Sequence, residues 1–453
     1  MAWEHPHGNG ANNSFADVNT APAGAGLLSV PGLGSFAPGA GPVIAPDGTV
    51  YLGTTEGRLI ALRADGGELW AAQLPSLQGI VSSPVIGTDG SIYVVGLSLP
   101  VRDHREGSVV TVYQAWLHKF AQTGERLWDA PFPAQRNRAL PYYGPRLTGA
   151  PNIWRLGAEE YAIVPVVYRS FGREYHVVAF PARGGTPVSR RVSYIPDSVT
   201  GGSDWNWWNW WEVPFDHGVE VDPIALPGLP PVAVYTLPGG GTPWIMASDR
   251  VHDTVGMTFD PAQGFYEHVR VRDANRAMLS APSALPDSHT TVGTNSGEVV
   301  FVGPSQIVIP PVNAFGGTTD PEYAPRIFAS LTLTADPSLA VVVGLDGQYA
   351  LLRRNTVEYR TRLGGPSVVP AAASRTNVFV STDNALVTFN SDVTSELRRF
   401  PWLGGGTSPP AIGPSGRVYA IASNILFIFP PPRQRPRPEG PVGGDRPPPI
   451  NPG

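Results

Sequence analysis

Residues 42–70 read PVIAPDGTVYLGTTEGRLIALRADGGELW, and this stretch decides the fold. It contains an apolar run, a Pro-Asp-Gly turn, an alternating run, a Gly turn, a third apolar run and a closing Trp. Alternation of β-branched residues between short Pro/Gly turns is typical of antiparallel strands. A unit this small cannot bury both of its faces, so the sequence predicts that several copies stack against one another.

The unit recurs along almost the whole chain. It begins again at Pro84 with PVIGTDGSIYVVG and closes at Trp128 with LHKFAQTGERLW. Further copies, some of them weak, lie at 282–302, 333–352, 378–389 and 410–429, with room for two more in 145–272. Units of roughly forty to seventy residues fit four short strands each. The sequence therefore predicts an all-β, eight-bladed β-propeller of four-stranded antiparallel blades. Seven blades stay open as the alternative.

The last unit lacks a strand. Its alternating runs end at Phe429, and prolines follow. An open strand edge invites aggregation, so a closed ring needs one more strand. The segment 27–33, LLSVPGL, precedes the first unit as ELWAAQL precedes the second. The sequence therefore predicts that this N-terminal strand closes the ring. It also predicts three regions: an N-terminal segment (1–40), the propeller (41–429) and a Pro-rich tail (430–453).

The closing Gly…Trp pairs, Gly66 with Trp70 and Gly124 with Trp128, resemble the blade signature of the PQQ-like β-propeller repeat family. The segment 3–15, WEHPHGNGANNSF, also resembles the W…G-N…S stretch that precedes the first blade in that family. The resemblance implies that the Trp packs between blades and that the Gly lies in a turn. For the catalytic members, which are quinoprotein dehydrogenases, it implies PQQ and Ca²⁺ at the centre of the ring.

The residues that such a dehydrogenase uses are not recognisable in this chain. Cysteine is absent, which excludes the vicinal cysteine pair, haem attachment through paired cysteines and an N-terminal lipid anchor. No set of Asn, Asp and Glu can be matched to the family's Ca²⁺ ligands and Asp base. The sequence therefore favours a non-catalytic protein without PQQ or Ca²⁺, and it predicts neither catalytic residues nor a metal site.

The segment 203–215, SDWNWWNWWEVPF, has far more aromatic side chains than a strand repeat requires. Its tryptophans are Trp205, Trp207, Trp208, Trp210 and Trp211. Trp rings bind sugar faces and cations, and Asp204 supplies a hydrogen-bond acceptor. These six residues are the predicted ligand-binding site, for a glycan or a partner protein. Together with the insertions at 97–107 and 238–243, they predict binding at one face of the ring. An insertion that buries its own tryptophans is the alternative.

The histidines give weaker signals. His5 and His7 lie in an N-terminus that lacks any strand pattern, and the sequence predicts that it is mobile. The best group of potential metal ligands is Asp216, His217, Glu220 and Asp222. Solvated loop charges are the simpler interpretation of that group.

The composition of the chain limits the classes of partner that it is expected to bind. The net charge of −5 shows no basic footprint, so nucleic-acid binding is not expected. No apolar stretch reaches membrane-span length and no signal peptide is visible; a periplasmic or extracellular location follows from the resemblance alone. The tail 430–453 has ten prolines, which predicts a linker or a docking segment for a proline-recognising partner.

These features predict a ligand-binding or protein-interaction scaffold. One alternative is an enzyme with its site in the central funnel, either a quinone- or metal-dependent oxidoreductase or a carbohydrate-active enzyme. The other alternative is a structural scaffold that assembles the cell envelope.

Overall fold

The computed structural model describes residues 3–432 apart from residues 25, 76–77, 99–100, 106–107, 113, 135–144, 170–171, 197–228, 251–252, 274–275, 288, 304–306, 320–323, 403–404 and 407. Within these residues all of the regular secondary structure is β-strand. Two strands precede the first blade: β1 (Phe15–Ala16) and β2 (Leu28–Val30).

The first four blades follow the chain in order. Their strands are, for blade 1, β3 (Val43–Ile44), β4 (Val50–Gly53), β5 (Arg58–Leu62) and β6 (Glu68–Gln73); for blade 2, β7 (Gln78–Ile80), β8 (Val85–Ile86), β9 (Ile92–Ser98), β12 (Ala115–Phe120) and β13 (Arg126–Pro131), with a separate two-stranded hairpin of β10 (Val101–Arg105) and β11 (Ser108–Val112) between β9 and β12; for blade 3, β14 (Pro145–Thr148), β15 (Asn152–Leu156), β16 (Glu159–Arg169), β17 (Gly172–Pro181) and β18 (Val188–Pro196); and for blade 4, β19 (Ala233–Tyr235), β20 (Trp244–Ser248), β21 (Asp253–Asp260) and β22 (Gly264–Arg272).

The other four blades are more regular. Their strands are, for blade 5, β23 (Ser283–Ala284), β24 (Thr290–Gly293), β25 (Glu298–Val302) and β26 (Ile307–Asn313); for blade 6, β27 (Thr332–Leu333), β28 (Leu339–Val343), β29 (Gln348–Arg353) and β30 (Thr356–Arg362); for blade 7, β31 (Ala372–Ser374), β32 (Asn377–Ser381), β33 (Ala385–Asn390) and β34 (Glu396–Pro401); and for blade 8, β35 (Ala411–Ile412), β36 (Val418–Ala422) and β37 (Ile425–Phe429). The predicted all-β, eight-bladed propeller is confirmed, and the seven-bladed alternative is wrong.

The ring closes through its N-terminal strand, as the sequence predicts. β2 pairs antiparallel with β37, with Leu28 opposite Ile428 and Val30 opposite Leu426. This pairing supplies the fourth strand of blade 8 and covers an edge that would otherwise be open.

Alternation along each strand builds the contacts between blades. Val50 and Leu52 of β4 pack in the same core as Tyr419 of blade 8, whereas Tyr51 between them packs with Ile92 of blade 2. Side chains of a strand point alternately to its two faces, so each blade contributes to two interblade cores. The ring is therefore held together by apolar contacts between neighbouring blades.

The antiparallel order gives the ring two distinct faces. We call the face at which the inner strands begin the upper face, and the face at which they end the lower face. Turns between the first and second strands, and between the third and fourth strands, lie on the lower face. Connections between the second and third strands, and from one blade to the next, lie on the upper face.

Each tryptophan of the Gly…Trp signature contacts the following blade. The Trp70 indole N–H donates to the carbonyl of Gln122 at 2.8 Å, and the Trp128 indole N–H donates to the carbonyl of Ala182 at 3.1 Å. The Trp70 ring lies so close to Gly124 that a Cβ placed there would be 2.8 Å from it. Gly66 is covered instead by Val30 of the ring-closing strand, 2.6 Å from an added Cβ.

We expect Gly124→Ala to destabilise the protein by about 2–4 kcal/mol, because it places a methyl group against Trp70 and also forces alanine to φ +88°. The matched control is Gly157→Ala, at φ +62° in open space, which should cost only about 1–2 kcal/mol. Urea unfolding of both variants gives the comparison. Equal losses would show that the contact between Trp70 and Gly124 contributes nothing.

Candidate functional site

The inner strands of the blades present their free edges to the ring axis, and the chain's own N-terminus covers them. We call residues 3–16 the axial segment. Buried main-chain N–H groups need acceptors, so these free edges require a partner along the axis. Ile44 of blade 1 exchanges two hydrogen bonds with Trp3, at 2.7 and 3.0 Å. Ile86 of blade 2 donates to the carbonyl of Glu4 at 2.9 Å.

The axial segment then contacts blades 3 to 7 in chain order. In blade 3 the Asn152 amide donates to the carbonyl of Gly10 at 2.9 Å. The inner-strand N–H groups of blades 4 to 7 donate to axial carbonyls: Val234 to Gly10 at 2.6 Å, Ala284 to Ala11 at 2.9 Å, Leu333 to Asn13 at 2.9 Å and Ala373 to Ser14 at 2.9 Å. Seven of the eight blades are therefore joined on the axis by one short stretch of chain.

The axial segment is buried. Trp3 is 1% exposed, and Asn12 is fully enclosed with its amide donating to the carbonyls of Val232 and Pro282 at 3.1 Å. His5 and His7 are also buried, and burial lowers the pKa of His5 to about 4 and that of His7 to about 3. The prediction of a mobile N-terminus is wrong, because these residues are fixed by their main-chain groups rather than by an apolar pattern.

A small chamber lies above the axial segment on the upper face. It is lined by His7, Arg250, Phe328 and the residues that lead into the inner strands, and its volume is about 40 Å³. His7 Nδ1 lies 3.0 Å from the Ser330 hydroxyl. The Arg250 guanidinium donates to the carbonyl of Leu279 at 3.2 Å and lies 5.6 Å from the centre of the Phe328 ring.

Arg250 remains a cation at neutral pH despite its burial. Burial lowers its pKa to about 10, and its backbone adopts a left-handed conformation with φ +63°. Burial also raises the pKa of Tyr175, with the Asp249 carboxylate adding to the shift and Arg250 opposing it. The opening-segment resemblance was the only sequence signal for the axial residues, and no sequence signal pointed to Arg250.

The axis does not fit PQQ. A buried water requires roughly 10–15 Å³, so a chamber of about 40 Å³ holds a few waters. The space in which the resemblance places the quinone is occupied by the axial segment. The chamber that the described residues form on the axis is therefore too small for PQQ.

The predicted ligand-binding residues Trp205, Trp207, Trp208, Trp210, Trp211 and Asp204 lie outside the described residues, as do Asp216, His217, Glu220 and Asp222. The strands on either side of this stretch are described: β18 ends and β19 begins on the upper face. The insertion at 97–107 contains β10, the first strand of the β10–β11 hairpin, which is also on the upper face.

The prediction that the Gly-rich loop 238–243 lies on the same face as the other two insertions is wrong. The Gly-rich loop 238–243 joins β19 to β20, which are the first and second strands of blade 4. That connection lies on the lower face, opposite the other two insertions. Its three glycines, 239 to 241, have positive φ and open space around them.

The described residues contain neither a metal-binding cluster nor a membrane-spanning helix. Among them, no group of three or more His, Asp or Glu side chains could hold a metal ion. The described chain likewise contains no helix that is long and apolar enough to cross a membrane.

Comparison with known proteins shows the fold alone. No family model matches the chain, and no curated protein matches its sequence. Sqt1 of Saccharomyces cerevisiae aligns over 90% of this chain and 100% of its own, with 10% identity and a TM-score of 0.55. BamB from Moraxella catarrhalis aligns over 89% and 98%, with 13% identity and a TM-score of 0.49. In all, 901 solved chains match, so the propeller architecture does not select a function.

Proposed function

We propose that this protein is a non-catalytic propeller of the PQQ-like type that acts as an interaction scaffold. The observation that supports this most is the axial segment, which occupies the place where a central enzyme site would lie. With about 40 Å³ left in the chamber, a substrate has no room on the axis. Recognition is therefore assigned to the outer surface of the ring.

The upper face at blades 2 to 4 is the best-supported part of that surface. The β10–β11 hairpin is added to blade 2 there, and the chain between β18 and β19 leaves and returns there. A regular blade requires neither insertion, and function in repeat proteins is usually carried by such additions. We assign the recognition element to Trp205, Trp207, Trp208, Trp210 and Trp211 with Asp204, for a partner protein or a glycan.

The test combines binding measurements with one double variant, Trp207→Ala/Trp208→Ala. Wild-type protein is titrated with a panel of glycans and, separately, with PQQ plus Ca²⁺, using intrinsic Trp fluorescence. Partner proteins are compared by isotope-labelled affinity purification from the source cells with wild type and variant. We expect a glycan or a protein partner whose binding falls at least about tenfold in the variant, as for loss of aromatic anchors.

The matched control is Leu69→Ala/Leu397→Ala, which removes two side chains that are 48% and 49% exposed on blades 1 and 7. It should bind like wild type. Saturable binding of PQQ plus Ca²⁺ would contradict a non-catalytic protein. Binding that is equal in wild type and in the Trp variant would contradict the assignment of the recognition element.

A further inference from the structure

A second concave site lies on the lower face, away from the upper-face insertions. It is a groove between blades 5 and 6 with a volume of about 210 Å³, and we call it the 5/6 groove. Its floor is made of buried side chains of the interblade core: Phe301, Leu331, Leu333 and Leu352. At roughly 10–15 Å³ for each water, the groove is large enough for a small organic molecule.

The groove lies at an interface between two blades that lack the Gly…Trp signature: blade 5 has no Trp at the signature position, and blade 6 has no Gly in the facing turn. In blade 1, Trp70 pairs with Ala61 and packs against Gly124 of the next blade. The same register position in blade 5 is Ile309, which pairs with Phe301. In blade 6 the turn that corresponds to the Gly124 turn is Arg354–Asn355. The indole that fills this space between blades 1 and 2 is therefore missing between blades 5 and 6.

The rim of the groove carries one available cation. Arg354 lines the groove and is exposed, and it forms no ion pair with any described residue. Its neighbour Arg353 is already engaged by Asp336 at 3.1 Å and by Glu358. The acid on the opposite rim is Asp287, whose carboxylate lies 3.1 Å from Nδ1 of His289. An anionic group bound beside Arg354 therefore meets a guanidinium that forms no ion pair with any described residue, and the Asp287 carboxylate lies on the opposite rim.

We propose that the 5/6 groove binds a small amphipathic carboxylate. Its apolar body lies on the leucine-rich floor, and its carboxylate accepts hydrogen bonds from the Arg354 guanidinium. Pockets of this kind use apolar walls for affinity and a few polar groups for orientation. Arginine suits the second role because its planar fork of donors matches a carboxylate. This binding does not depend on the function proposed for the upper face.

The test uses two probes with the same apolar body and opposite charge. Octanoate and octylamine are titrated into the full chain by isothermal calorimetry. We expect one octanoate per chain and octylamine binding at least about tenfold weaker, since a charge-assisted hydrogen bond is replaced by repulsion. Equal binding of the two probes, or no binding of octanoate at millimolar concentration, would overturn the proposal.

Two variants locate the site. Arg354→Asn removes the charge and suits the left-handed backbone at φ +52°, so the fold should be retained while octanoate binding weakens at least about tenfold. Arg63→Asn, at another turn of the lower face, is the control and should bind like wild type. Ala340→Leu fills the lining and should abolish binding of both probes. Unchanged octanoate affinity in Arg354→Asn overturns the proposal even if Ala340→Leu fails to fold.

Discussion

Removal of residues 1–20 is expected to prevent the chain from forming a cooperatively folded propeller. The deletion removes Trp3, whose loss from a core costs about 3–5 kcal/mol. It also removes the seven main-chain hydrogen bonds that residues 3–14 form with inner strands, two on blade 1 and one each on blades 2, 4, 5, 6 and 7. At about 1 kcal/mol each, these losses together approach the whole stability of an ordinary domain, about 5–15 kcal/mol.

The measurement is circular dichroism with thermal unfolding, and the matched control is removal of residues 433–453 from the other end. We expect the N-terminal deletion to abolish the sharp unfolding transition and the control to keep it. The ring-closing strand β2 is retained in the deletion, so an effect on folding does not come from the loss of ring closure. An N-terminal deletion that unfolds cooperatively at the wild-type temperature would contradict a stabilising role for the axial segment.

Acid is expected to destabilise the protein through the histidines of the axial segment. Unfolded histidine binds a proton below about pH 6.5, whereas burial lowers the pKa of His5 to about 4 and that of His7 to about 3. Unfolding therefore takes up protons below pH 6.5. The stabilisation is complete above that pH and is lost as the pH falls towards the two folded-state values.

The expected loss at pH 5 is about 2 kcal/mol for each histidine, or about 4 kcal/mol together. Protonated His7 would also share the upper-face chamber with the Arg250 cation, which adds to the penalty. His118, whose pKa burial also lowers to about 4, acts in the same direction in blade 2. We therefore expect the propeller to be acid-labile.

Urea unfolding at pH 7.5 and pH 5.0 measures the effect. The double variant His5→Phe/His7→Asn keeps the ring shape at the first position and a polar group beside Ser330 at the second. It should lose much less stability between the two pH values than wild type does. His268→Gln, at an exposed site, is the control and should behave as wild type. The same loss in the double variant as in wild type would contradict the assignment to the axial histidines.

The interblade fold could be predicted from the sequence because side chains carry its pattern. Alternation at Val50, Tyr51 and Leu52 indicated two buried faces, and each face is now seen in a different interblade core. LLSVPGL was recognisable as the closing strand because its position before blade 1 matches that of ELWAAQL before blade 2. Repetition supplied the same information several times, so weak copies could be aligned on strong ones.

The position of the axial segment along the ring axis could not be predicted in the same way. The axial segment is held by carbonyl groups, which every residue has, so residues 3–16 show no alternating apolar pattern. The 5/6 groove was hidden because Ile309 can be aligned with Trp70 only after the strand register is known. The position of the 238–243 loop, by contrast, could have been predicted from the sequence. The loop follows the first strand of blade 4, and the turns after the first strand of every blade lie on the lower face.

The position of the axial segment also sets the order in which the protein can be completed during translation. Residues 3–16 leave the ribosome before any of the blades, but their carbonyl acceptors are matched by donors as distant as Ala373. At roughly 5–20 residues per second, synthesis of the intervening chain takes roughly 20–70 seconds. Throughout that time Trp3 has no finished core to enter. The axial segment is therefore made before the blades that it joins but is among the last parts of the ring to reach its native contacts, and the nascent chain has unpaired inner strands until blade 7 is complete.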